Sequence, residues 1–95
     1  MNIEKIVLPV EIENKIEYKH NVRHNEVRQA MLNDPRIRFA EKGNVKGNDV
    51  YVAFGRTFGG RYLSVFFIYK PENRTAIIIS ARDMTKKERK AYGKK

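Results

Sequence analysis

The chain has 95 residues, enough for one domain with a single modest core and no second one. Hydrophobic residues make up 41% and charged residues 33%, a globular rather than a disordered composition. The absence of cysteine excludes a disulfide framework, a thiol nucleophile and a cysteine-based zinc site. The net charge of +9 is unevenly spread: residues 1–49 carry nine Lys/Arg against eight Asp/Glu, and residues 50–95 carry eleven against three. Such a bias is the footprint of a polyanion-binding face in the second half. The N-terminus has early acids and no long apolar stretch, so no signal peptide is expected. The longest apolar run, Tyr62–Tyr69, is too short to span a bilayer. The basic tail has only Met84, Ala91 and Tyr92 as apolar residues, too few for a membrane-surface helix. A cytoplasmic protein without a membrane role is expected.

In chain order, Ile3–Val10 reads as a short strand or extended arm ended by Pro9, which cannot donate to a ladder. From Glu11 the spacing turns helical, with Ile12 and Ile16 on one face and Glu13, Lys15 and Glu17 outside. After a break near Asn21–Val22, Val27, Ala30 and Met31 mark a second helix. It stops before Asn33-Asp34-Pro35, because the residue preceding proline avoids the helical region. Arg36–Phe39 then alternates basic and apolar, as in a half-exposed strand. Glu41–Asp49 is a loop, Val50–Phe54 a strand, and Phe54–Gly60 (FGRTFGG) a glycine-rich turn. Tyr62–Tyr69 is apolar on both faces except Ser64, which predicts a central strand. Its aromatics Tyr62, Phe66, Phe67 and Tyr69 are assigned to the core. A turn at Lys70–Arg74 leads to a strand at Ala76–Ser80. Thr85-x-x-Glu88 fits a capping box that opens a helix from Lys86 to Tyr92, ended by Gly93. Consecutive strands joined by short turns pair antiparallel. The expectation is therefore one α+β domain over residues 1–95, with helices packed on one face of the sheet.

The run Gly55-Arg56-Thr57, then Gly60–Lys70 (GRYLSVFFIYK), then Ile78–Tyr92 (IISARDMTKKERKAY) resembles the C-terminal half of the BrnT toxins. Lys19-His20-Asn21-Val22 resembles the Lys-His-Gly-Val element of that family, and Asn33-Asp34-Pro35 its segment after the second helix. The likeness runs from about Glu11 to Tyr92. Two departures stand out: the Trp-Asp opening of the family is absent, and Asn21 occupies a usual glycine position, where asparagine still tolerates a left-handed backbone. The resemblance implies a RelE-like fold, with two N-terminal helices and one C-terminal helix on a small antiparallel sheet. It also implies metal-independent endoribonuclease activity and a cognate BrnA-like antitoxin protein. A homodimer, or a hetero-oligomer with the antitoxin, fits that implication.

RNA can be cut by its own 2′-hydroxyl attacking the neighbouring phosphate. The protein must remove that proton, absorb the growing charge on the phosphorane and protonate the leaving 5′-oxygen. Without a metal, two or more arginines must converge on one phosphate, since the planar guanidinium fork matches its oxygens. Arg56 beside Gly55 and Arg82 after the strand at Ala76–Ser80 are the main candidates, and both could equally be salt-bridged loop arginines. His20 could act as acid or base, or merely complement a helix dipole. Lys19, Arg61, Lys86, Lys87, Arg89 and Tyr92 are candidate RNA contacts, with Lys94 and Lys95 extending the basic end. Arg61 could be simply solvated, and Tyr92 could pack on the sheet. Glu88 is assigned to the cap. His20 and His24 lie four apart, but no third ligand or HExxH pattern accompanies them, so no metal or cofactor is expected. The alternative to an enzyme is a nucleic-acid- or antitoxin-binding remnant of the same fold.

Overall fold

A computed structural model describes residues 1–93; Lys94 and Lys95 of the basic tail lie outside the described residues. Among these residues the chain forms β1 (Lys5–Val7), α1 (Val10–His20), α2 (His24–Leu32), β2 (Arg36–Glu41), β3 (Val50–Arg56), β4 (Tyr62–Lys70), β5 (Thr75–Asp83) and α3 (Lys86–Gly93). The sheet order is β1-β5-β4-β3-β2, so β4 is central, as its two-sided apolarity requires. From β2 to β5 every pairing is antiparallel.

The edge strand β1 departs from the expected antiparallel sheet. It runs parallel to β5, with Lys5 opposite Thr75 and Val7 opposite Ile77, and makes the sheet mixed. No hairpin ties β1 to a neighbour in sequence. The segment instead takes the free edge of β5, where the Glu4 and Lys5 amides both donate to the Arg74 carbonyl.

The first two helices cover one face. Ile16 of α1, the linker residue Val22 and Val27, Ala30 and Met31 of α2 are buried there against Ala53, Leu63, Val65, Phe67, Ala76, Ile78 and Ala81. Phe67, fully buried, contributes roughly 2–3 kcal/mol by removal from water. The α1–α2 break is made by Asn21, whose φ of 53° is left-handed, while its amide and that of Val22 return to the Glu17 and Ile16 carbonyls. Asparagine thus does what glycine commonly does at this kind of cap. At Gly55 the close approach is to α2: a Cβ there would collide with the Ala30 carbonyl oxygen. The glycine serves helix–sheet packing.

The third helix corrects the expectation of helices on one face. Its Glu88 bonds Ser64 and Arg82, and its Tyr92 ring meets Tyr62. Those residues alternate with Leu63, Val65 and Ala81 and so point to the opposite side of the sheet. The capping box at its start forms as expected: the Thr85 hydroxyl accepts from the Glu88 amide, and the Glu88 carboxylate accepts from the Thr85 amide. No described helix is long and apolar enough to cross a membrane.

Candidate active site

On the sheet face that α1 and α2 leave open, the register aligns side chains in rows. Arg36 of β2, Phe54 of β3, Ser64 of β4 and Arg82 of β5 form one row. Beside it lie Arg38, Val52, Phe66 and Ser80, and on its other side Arg56 faces Tyr62. From ordinary strand spacing, the Arg56 and Arg82 Cα atoms are about 12 Å apart on this shared face. Both guanidinium groups therefore rise from the same side of the sheet.

Helix α3 adds a third arginine. The Arg56 Cζ lies 5.3 Å and the Arg89 Cζ 4.2 Å from the centroid of the Tyr62 ring, which also meets Tyr92 edge-on at 6.0 Å. Cation–π attraction holds each arginine there. Among the described residues, no carboxylate lies within ion-pair distance of Arg56 or Arg89. Two exposed cations therefore share one ring, with no carboxylate beside them among the described residues, an arrangement whose field favours an anion.

Arg82 is held differently. Its two terminal nitrogens donate to both oxygens of Glu88, at 2.7 and 3.0 Å, and its Cζ lies 5.2 Å from the centroid of Phe66. Glu88 Oε1 also accepts from the Ser64 hydroxyl at 3.1 Å. The Arg82 hydrogen bonds, then the Thr85 amide and the Ser64 hydroxyl, hold the Glu88 carboxyl down at about 2 against the opposing effect of burial. The same pairing raises the pKa of Arg82, so both partners stay charged. Glu88 thus joins β4, β5 and α3 and fixes the direction of Arg82, which sequence reasoning had limited to a cap.

With this geometry in place, a family model described as "Ribonuclease toxin, BrnT, of type II toxin-antitoxin system" matches residues 13–88. The chain belongs to the BrnT family. No curated protein matches it. As a BrnT chain it is placed among ribonuclease toxins, whose system supplies an antitoxin partner and an RNA target. The matched stretch includes Arg56, Arg82 and Glu88 and ends before Arg89 and Tyr92.

Of the residues singled out from sequence, the BrnT fold brings Arg56, Arg82, Arg89 and Tyr92 to one face, with Lys87 beside them along α3. Lys86 is exposed in the first turn of α3. Lys19 and His20 are exposed in the last turn of α1, on the helix-covered side.

Arg61 lies apart from this cluster. Its guanidinium donates to Asp83 at 2.7 and 3.0 Å, to Glu26 at 3.1 Å and to the His20 and Asn21 carbonyls. The Asp83 hydrogen bond raises its pKa, and Arg61 in turn lowers that of Asp83, helped by nearby His20. His24 is engaged by Arg28, which donates to its Nε2 at 2.6 Å, and by Glu13. Among the described residues no group of three or more His, Asp or Glu is arranged to hold a metal.

Sequence reasoning left out Arg38, Phe54, Tyr62 and Phe66 as site residues. Strand periodicity assigns Tyr62 and Phe66 to the core; they lie instead on the arginine face, while Phe67 is the buried aromatic. The alternation Arg36–Ile37–Arg38–Phe39 was the available signal, but it needed the strand register to place its arginines beside Phe54.

Proposed function

We propose that this chain is a metal-independent endoribonuclease toxin of a type II toxin–antitoxin system, built as one RelE-like domain over residues 1–95. It works in the cytoplasm and is neutralised by a cognate BrnA-like antitoxin. The RNA supplies its own nucleophile. The 2′-oxygen attacks phosphorus as its proton leaves to a base, and the bond to the 5′-oxygen breaks as that oxygen takes up a proton. The products are a 2′,3′-cyclic phosphate and a 5′-hydroxyl. Arg56 and Arg89 grip the scissile phosphate from the Tyr62 side, and Arg82 stabilises the phosphorane from the β5 side. His20 is assigned the proton-carrier role; it stands on the helix-covered side, its carbonyl linked through Arg61 to Asp83, the neighbour of Arg82. Lys19, Lys86, Lys87 and Tyr92 guide the flanking strand, and Arg61 is a clamp between the helices and the sheet rather than a phosphate ligand. The observation that carries the reading is the Arg56–Tyr62–Arg89 stack without a carboxylate partner among the described residues.

A second reading, a binding remnant, draws on the Glu88 carboxylate that already occupies the Arg82 fork. Incubation of the purified protein with labelled RNA in EDTA separates the two. The enzyme cuts, and Arg56→Ala and Arg82→Ala each lower the rate at least a hundredfold with folding intact. Retention of RNA by the wild-type protein without any cleavage establishes the remnant instead.

A further inference from the structure

Between α3 and strands β2 and β3 lies an open cleft of about 200 Å³. Phe54 forms its floor, Ala91 and Tyr92 line the helix wall, and Arg36, Arg38 and Lys87 surround them. The lining is mostly apolar, although Arg36, Arg38 and Lys87 bring three cations to it against the one carboxylate of Glu88. A bare phosphate site needs no aromatic floor, and a tightly packed core would not leave Phe54 half-buried beside open space. An apolar recess with an excess of cations in its lining matches one chemical unit, a flat ring that carries an anion. The volume falls below the range of roughly 300–1,000 Å³ typical of larger ligands, so it suits one ring system and not two.

We infer that this cleft is a base subsite: it takes a single unstacked nucleobase of the RNA, next to the scissile phosphate, and so sets the sequence preference of cutting. The inference rests on the reading of the arginine face as the RNA site. The register supplies the position. Phe54 stands in the same row as Ser64 and Arg82, one strand from Ser64, so a strand gripped by Arg56 and Arg82 and led towards β2 delivers its next base onto Phe54. The ring lies between Phe54 and Tyr92, and Arg38 and Lys87 hold its phosphate. Stacking on aromatic rings is sequence-tolerant in itself. Discrimination comes from the small size of the cleft and from the Glu88 carboxylate in its lining, which accepts only from base edges that donate.

Two measurements test this. In the first, the wild-type protein is titrated with each of the four nucleoside 3′-monophosphates and, as a base-free control, with ribose phosphate. NMR then follows the Phe54, Ala91 and Tyr92 resonances. The nucleotides shift all three, to different extents for different bases, and ribose phosphate does not. In the second, Ala91→Trp fills the cleft from an exposed helix position. Its cleavage of a random-sequence RNA pool loses the base preference beside the cut, and KM rises roughly tenfold, while cutting persists. Equal shifts from ribose phosphate, no shift from any nucleotide, or an unchanged cleavage profile and KM in Ala91→Trp overturns the subsite. A wild-type protein that cuts no RNA sinks the nuclease reading alone, because the titration still decides whether the cleft binds a base.

Discussion

Glu88 shows how much one side chain can carry on this face. Its carboxyl falls from the usual 4.5 to about 2 in the folded protein, mainly through the Arg82 hydrogen bonds. The folded state therefore binds fewer protons than the unfolded one in this range. The resulting stabilisation is complete above about pH 4.5 and drains away as pH falls towards 2. With its side chain 23% exposed, a contribution of about 2 kcal/mol at neutral pH is the right order. Glu88→Gln should lose about that much in urea unfolding at pH 7 and converge with the wild type near pH 2; parallel curves at both pH values would contradict it. Arg61 makes a different case. Arg61→Ala leaves Asp83 and Glu26 without their cation and two carbonyls without a donor. A loss of about 2–3 kcal/mol is expected. RNA cleavage per folded molecule should stay near wild type; a stable but inactive Arg61→Ala would return Arg61 to the phosphate.

At the scale of elements, the helices and the central strands were legible in the sequence. The second helix showed its buried face as Val27, Ala30 and Met31, and all three are buried. The capping box at Thr85 and Glu88 forms, because its partners are three residues apart and need nothing from elsewhere. Contacts between distant elements were not legible. The parallel docking of β1 and the placement of α3 on the second face both depend on partners tens of residues away. So does the contact of Gly55 with Ala30, which gives a direct test. Gly55→Ala drives a methyl into the α2 backbone and should destabilise by about 1–3 kcal/mol. Gly93→Ala, whose added methyl meets nothing within 4 Å among the described residues, should be neutral or slightly stabilising. Thermal melts of the two variants should differ in that direction.

For the whole molecule, the charge asymmetry becomes a surface with two different sides. One face of the sheet is closed by α1 and α2, and the other carries Arg36, Arg38, Arg56 and Arg82, with Lys87 and Arg89 supplied by α3. RNA affinity should therefore fall linearly with salt on logarithmic axes. Arg89→Gln and Lys87→Gln should each flatten the slope by about 0.7, as for one phosphate contact to a single strand. A slope unchanged in both variants would move RNA binding off this face. The sequence by itself determined the class of fold and the basic bias of the second half, because composition, periodicity and local caps are properties of neighbouring residues; the family resemblance favoured Arg56 and Arg82 as candidates. Only the tertiary structure decided that Arg61 is consumed by Asp83 and Glu26, and that Tyr62 and Phe66 face arginines instead of the core. Which side of a strand is buried, and which cation finds a carboxylate, depends on strand register and helix docking, and both are fixed by contacts between residues far apart in the chain.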